Sequence, residues 1–269
     1  MSQAKPQPQN NQLQSAIQKQ FGNVAERYAH STVHAGGQDL EQMVALARQL
    51  LPVHAHVLDA GCGAGHTALA VAPYAKQVYA CDLTRPMLQQ TEQLAWSRRV
   101  ANVSTQQVDL HHLPFKSASF DAVVSRYSAH HWADPQAALD GIARVLRPTG
   151  ILLFSDIIAP ESAHADSFLQ TIETLRDPSH VRDHRIDEWQ DMLAWSGFRE
   201  SQLILRFELK MSFKAWLERM ATPPVYASAI RALIQQAPSE IRHTFHFPAH
   251  MEDERFDFVL HGAVIQALR

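Results

Sequence analysis

Three glycines spaced Gly61-x-Gly63-x-Gly65, led by Asp59 and enclosing Cys62, form the most chemically informative cluster in the chain. Glycine is required where a ligand lies against backbone or where a turn is too tight for a Cβ. A dinucleotide site wants Gly-x-Gly-x-x-Gly, with a pyrophosphate on the helix N-terminus. Here the spacing is shorter, and the leading carboxylate would repel a pyrophosphate while favouring an ammonium or a sulfonium. The segment therefore suits a ligand with an amino-acid end, and a nicotinamide-dependent oxidoreductase is disfavoured. Two more acids stand at the ends of the next apolar segments. Asp82 can accept hydrogen bonds from both hydroxyls of a ribose, with Leu83 and Met87 assigned to the same wall. Asp109 can accept the exocyclic amine of an adenine, and Leu110 can cover the ring. Tyr28, in Ala25-Glu-Arg-Tyr28, is expected to close over the amino-acid end. For proton transfer the candidates are His130, His131 and His180, since a neutral imidazole is a base near neutral pH.

These residues fall at the joints of an alternating pattern. Strands are expected at 56–59, 77–82, 103–109, 120–126, 151–156, 201–209 and 257–268, and helices at 17–28, 39–51, 66–74, 86–99, 135–146 and 187–195. Pro148-Thr-Gly150 reads as a turn. The β-α-β-α rhythm implies an α/β fold, a mainly parallel sheet with helices on both faces. Ligands of such sheets bind at the carboxyl ends of the strands, which is where the glycines and both later acids lie. Residues 1–15, rich in Gln, Asn and Pro, are expected to be disordered. Residues 16–269 are expected to form one domain with an N-terminal lid (16–38). A polar loop (159–186) and a helical insertion (210–250) are expected as caps.

The chain has 269 residues, 46% of them hydrophobic, enough for a sizeable core. A formal net charge of -3 and the lack of a Lys/Arg run disfavour a nucleic-acid partner. Two cysteines make neither a disulfide framework nor a Cys-rich zinc site. No metal is expected, since the 16 histidines include no His-x-x-x-His with an acid on a clear helical face. No membrane span and no signal core stand out, so a cytoplasmic protein is expected. The composition leaves the oligomeric state open.

Asp59-Ala-Gly-Cys-Gly-Ala-Gly65, Ala80-Cys-Asp82, Asp109-Leu-His-His-Leu-Pro-Phe115, Phe120-Asp-Ala-Val and Arg144-Val-Leu-Arg-Pro148 together resemble class I S-adenosylmethionine-dependent methyltransferases of the ubiquinone/menaquinone C-methyltransferase type. Arg126-Tyr-Ser-Ala-His-His-Trp132 and Arg176-Asp-Pro-Ser-His-Val-Arg182 resemble more narrowly the YcgJ-type subgroup. The resemblance covers about residues 21–156. It implies a Rossmann-like seven-stranded sheet, order 3-2-1-4-5-7-6, with strand 7 antiparallel. It implies S-adenosylmethionine (SAM) as cofactor and S-adenosylhomocysteine (SAH) as product. Asp59 and Gly61 to Gly65 would hold the methionine end, Asp82 the ribose, and Asp109 with Leu110 the adenine. Arg126, after the fourth strand, joins the cofactor set.

In this fold the segment after the fourth strand faces the methyl group, which places His130 and His131 as candidate bases. His180 lies with Arg176, Asp177 and Arg182 in the expected cap, where Arg182 could clamp a carboxylate or phosphate. His111 and His112 are expected at the surface. The quinone enzymes carry an Asn-rich segment where this chain has Tyr127-Ser-Ala-His-His131, a departure that argues against a quinone. The expected acceptor is a small, partly apolar metabolite methylated at carbon or oxygen. The alternatives are a carboxyl methyltransferase acting on an acyl carrier thioester, with Arg176, Arg182 and Arg185 as a basic rim, and a SAM-binding protein without turnover.

Overall fold

The computed structural model describes residues 8–29, 35–249 and 255–269. Its strands are β1 (His56–Ala60), β2 (Gln77–Asp82), β3 (Val103–Gln107), β4 (Phe120–Arg126), β5 (Leu146–Ile157), β6 (Glu200–Ser212) and β7 (Asp257–Leu268). They form one sheet in the order β3-β2-β1-β4-β5-β7-β6. The first five run parallel and β7 runs antiparallel to both of its neighbours. This is the order the resemblance implied. Val57, Leu58, Ala122 and Val123 are wholly buried, because a central parallel strand is covered on both faces and must be apolar throughout. Strand order reverses between β1 and β4, which opens a crevice at their carboxyl ends.

The helices are α1 (Pro8–Ala29), α2 (Gln38–Leu50), α3 (His66–Val71), α4 (Arg85–Ser97), α5 (Pro135–Val145), α6 (Ala163–Arg176), α7 (Ile186–Trp195), α8 (Phe213–Arg219), α9 (Pro224–Gln235) and α10 (Ser239–Phe245). Met43 of α2, Ala68 of α3 and Leu88 of α4 pack with Val57 and Val78 on one face of the sheet. Leu139 and Ile142 of α5 and Trp189 of α7 pack with Leu58 and Phe154 on the other. Asp134 starts α5 by accepting the Ala137 amide at 2.9 Å, with Pro135 in the first turn. α6, α8, α9 and α10 form a cap whose core joins Leu169, Trp216, Ile230 and Phe245 to Ile157 and Leu260 of the sheet.

Three expectations about elements change. α1 begins at Pro8, inside the stretch expected to be without structure. Gln and Asn do not break a helix, and Leu13, Ile17 and Phe21 continue one face at intervals of four. Residues 1–7 of the expected tail and 30–34 of the lid lie outside the described residues, as does residue 250 of the cap. The expected loop 159–186 contains α6, with Ala165, Leu169 and Ile172 buried along one side. The polar residues between them hid that face. Pro148-Thr-Gly150 lies within β5, as an irregularity between the pairs Phe120–Leu146 and Ala122–Ile151. Among the described residues no helix is long and apolar enough to cross a membrane.

Candidate active site

A cleft of about 970 Å³ lies over the carboxyl ends of β1, β2 and β4. Its floor is the glycine turn. The Gly61 and Cys62 amides both donate to the Cys81 carbonyl at 2.9 Å, which ties the turn to β2. Gly61, Gly63 and Gly65 all have positive φ, at 78°, 51° and 88°. A Cβ on Gly61 would sit 2.0 Å from the Ser128 Oγ, whereas one on Gly63 would meet nothing within 4 Å. Gly63 is therefore the point where backbone opens onto the cleft.

The three acids differ in environment. Asp59 lies beneath the turn, 1% exposed, and neither of its oxygens has a hydrogen-bond partner among the described residues. Burial pushes its pKa up to about 7, the nearby Ala68 amide and the Arg126 charge offsetting part of the effect and the Asp82 charge adding to it. A buried carboxylate without a partner costs stability unless a cation or donor approaches, so the two orphaned oxygens fit a cationic group lying over the turn, although Asp59 itself does not line the cleft. Asp82 accepts the Gly63 amide at 2.9 Å on one oxygen and the Thr84 amide at 2.8 Å on the other. Burial raises its pKa. Each oxygen keeps a lone pair for a ribose hydroxyl. Asp109 accepts from the His111 backbone (3.0 Å), His111 Nδ1 (2.6 Å), His112 Nδ1 (3.1 Å) and the Gln14 side-chain amide (2.7 Å). Burial works against it, yet these donors hold its carboxyl well below the usual carboxylate range. Leu83, Met87 and Leu110 line the same cleft, and Met87 and Leu110 are buried. The donor set fits the adenosyl and methionine ends of SAM.

Several assignments shift. Arg126 reaches the cleft wall, but its guanidinium forks onto Asp39 (Nε 2.5 Å) and donates to the Gly36 carbonyl (2.9 Å). It anchors the start of α2 to the end of β4. His111 is not a surface residue: its side chain is 10% exposed, Nδ1 serves Asp109, and Nε2 accepts the Asp134 amide at 3.2 Å. His112 is exposed, as expected. Arg182 pairs with Asp166 at 2.7 Å and approaches Glu188, and Arg185 pairs with Asp187 and Glu188. Neither lines the cleft, so the anion clamp and the basic rim expected of them are not formed.

The histidines separate by location. His131 lines the cleft, with its Nδ1 at 3.0 Å from the Ser179 carbonyl and Phe21 edge-on to its ring. Burial, reinforced by the His130 charge, lowers its pKa to about 4. His130 faces a second, inner pocket, and its Nδ1 lies 2.6 Å from Asp156. The Asp156 carboxylate outweighs burial and lifts the His130 pKa to about 9. His180 lines neither space. Its Nε2 meets Gln170 at 3.0 Å, and burial followed by the His130 charge lowers its pKa to about 2. His130, Asp156 and Asp183 offer three ligand atoms within 4.8 Å, a grouping the sequence did not suggest. Asp156, however, already accepts from the Ser128, Ala129 and Ile157 amides as well as His130. That carboxylate is saturated as a hydrogen-bond acceptor, which argues against a metal ligand.

Other cleft residues escaped sequence reasoning. Gln14, Ile17 and Phe21 of α1 form its roof. His66 sits at the start of α3 with Nε2 at 3.1 Å from the Tyr28 carbonyl. Ser128 accepts from the Trp132 indole at 3.0 Å. Tyr28 lines both spaces and donates to the Met220 sulfur at 3.1 Å. The amphipathic period of α1 was the one available signal; the rest depend on distant contacts.

A methyltransferase domain family matches residues 58–154, the span from β1 to β5. The chain is 36% identical over 249 residues to the uncharacterized methyltransferase YcgJ of Bacillus subtilis, covering 93% of this chain and 97% of that one. It is 38% identical over 185 residues to the uncharacterized protein YafE of Escherichia coli, covering 69% and 89%. The crystal structure of the Bacillus subtilis YcgJ protein superposes with a TM-score of 0.82 at 35% identity, covering 86% of this chain and 97% of that one.

Proposed function

The chain belongs to the class I SAM-dependent methyltransferases, in the YcgJ-like group, and on that premise we propose that it methylates a small, partly apolar metabolite at carbon or oxygen. One observation carries this reading. The cofactor cleft shares the Tyr28 and Tyr127 wall with an inner pocket of about 480 Å³ whose lining includes Ile157, Leu209 and Leu260. That space combines an apolar wall with the ionisable side chains of His130, Glu173, Arg176, Asp183 and Arg219, and it adjoins the segment after β4.

When bound, SAM supplies an electrophilic methyl group on a good leaving group, open to direct displacement. The protein must bind, align and exclude water, and alignment of this kind is worth ~7 kcal/mol or more. Gly63 allows close approach of the methionine end. Asp59 is a buried carboxyl beneath the turn that a cationic methionine end would draw into its charged form; Asp82 supplies acceptors for the ribose, and Asp109, with two donors on each oxygen, takes the adenine amine in place of Gln14. α1 covers the cleft. His131 is the base in this reading: it is neutral at pH 7, it lines the cofactor cleft, and its Nδ1–H is held by the Ser179 carbonyl. Nε2, 4.0 Å from the Asp177 carboxylate, is then the ring nitrogen whose lone pair takes a proton from a phenol or an activated carbon. His130, held as a cation by Asp156, steadies the charge balance beside it.

The test is SAH release from SAM in the presence of a metabolite extract, with His131→Ala and His130→Ala variants. His131→Ala should lower kcat by ~10²–10⁴ with SAM affinity kept within about twofold. Wild-type activity in His131→Ala would sink the base assignment, and a loss confined to His130→Ala would move it to His130.

A further inference from the structure

Among the described residues that line the inner pocket, one arginine stands in no salt bridge. Arg176 pairs with Glu173 at 3.1 Å, and His130 pairs with Asp156 at 2.6 Å. Asp183 also lines the space, and burial pushes its carboxyl well above the usual range. That leaves Arg219 at the end of α8. Its Nε is buried without a hydrogen-bond partner, and among the described residues its one polar contact is a terminal nitrogen 3.8 Å from the Met211 sulfur. A guanidinium has five N–H groups in a fork that matches a carboxylate. Arg219 is half-buried as a residue, but leaving its buried Nε–H unpaired is costly, and a ligand acceptor would complete it. Burial, with Arg176 close by, lowers its pKa to about 10, which still leaves it charged at pH 7.

We propose that the inner pocket binds the methyl acceptor through a carboxylate seated on Arg219, so that the acceptors of this enzyme are small carboxylic acids with an apolar body. This rests on the reading that the inner pocket holds the acceptor. A carboxylate matches the guanidinium fork whose Nε has no partner, and Leu209, Met211 and Leu260 offer the apolar wall. Arg219 lies in the cap and His131 in the cofactor cleft, with Tyr28 and Tyr127 between the two spaces. The carboxylate is thus a handle, and the methylated atom is at the other end of the acceptor.

The experiment measures thermal unfolding of the SAH-loaded protein with butyrate, hexanoate and octanoate, each set against its primary amide. At least one carboxylate should raise Tm while its amide does not. Arg219→Gln should abolish that shift, with SAH affinity within about twofold of wild type. Arg219→Met keeps the apolar stem and serves in the same role if the Gln variant unfolds; Arg219→Lys should retain part of the shift. Equal protection by acid and amide, no protection by any acid, or a full shift in both Arg219→Gln and Arg219→Met overturns the proposal. Turnover found only with neutral or cationic fractions of a metabolite extract also overturns it while leaving the proposed function intact. Failure of the wild type to bind SAH at all would count against that earlier reading instead.

Discussion

Gly61 and Gly63 stand two residues apart in one turn, yet a methyl group added at each meets a different obstacle. At Gly61 it would press into Ser128, 2.0 Å from Oγ and 2.6 Å from Cβ, at a φ of 78°. That collision belongs to the fold, because Ser128 also accepts the Trp132 indole. Gly61→Ala should therefore destabilise the protein by about 2 kcal/mol or more, read by urea denaturation, and Ser128→Gly should recover part of the loss. At Gly63 the methyl would point into the open cleft. Gly63→Ala should cost only ~1 kcal/mol of stability for its positive φ but weaken SAH binding tenfold or more by calorimetry. If both variants change stability and affinity to the same degree, the division of labour within the turn is wrong. The distinction was partly visible in the sequence: the Gly-x-Gly-x-Gly spacing marks a ligand turn, but which glycine faces the ligand depends on where Ser128 folds back, 67 residues later in a different strand's loop.

At the scale of elements, α1 joins the two halves of the site. Gln14 donates to Asp109 at 2.7 Å, Gln18 donates to the Leu83 carbonyl at 3.2 Å, Phe21 stacks edge-on to His131, and Tyr28 reaches the cap at Met220. The Gln14 amide occupies the acceptor that an adenine amine would use, so the helix and the ligand meet at the same carboxylate. Removing residues 1–20 should leave the sheet folded, because its two cores lie elsewhere. It should raise the SAH dissociation rate tenfold or more while changing the association rate little. A stopped-flow measurement giving an unchanged dissociation rate would remove α1 from the role of lid. The elements themselves were legible to unequal degrees. β1, β2 and β4 announce themselves as short apolar runs ending at an acid or an arginine, since a buried parallel strand tolerates little else. α6 did not, because Ala165, Leu169 and Ile172 are separated by polar residues and the segment reads as loop. Arg182 stood out in sequence as part of the Arg176–Arg182 cluster, whereas no motif marked Arg219. Among the described residues their neighbours in space, Asp166 for one and only the Met211 sulfur for the other, tell a surface pair from a candidate ligand contact.

Across the whole molecule, the sheet order brings the ends of β4 and β5 together and sets a buried ion pair at their junction. His130 follows β4, Asp156 lies in β5, and the cap supplies Glu173 and Asp183 around them. In the unfolded chain a histidine titrates near 6.5, whereas in the folded protein His130 keeps its proton to about 9. The folded state binds that proton more tightly, so the stabilisation is complete below about pH 6.5 and is lost as pH rises through about 9. Its slope in that window is ~1.4 kcal/mol per pH unit. Asp183, which faces His130, and the Cys62 thiol are both pushed up by burial and lose stabilisation in the same direction as pH rises, so the His130 share is the difference between wild type and His130→Asn. His131, with a pKa of about 4, is already neutral. Asp59, at about 7, has ionised by pH 8. Cys81, pushed up to about 12, differs from the unfolded chain only above about 9. Urea denaturation between pH 7.5 and 8.5 should show the wild type losing at least about 1 kcal/mol. His130→Asn, less stable at pH 7.5, should show a decline about 1 kcal/mol smaller over the same range. A wild-type profile that is flat or rising there would mean that Asp156 does not hold His130 charged, and the neutral His130 would then join His131 as a candidate base.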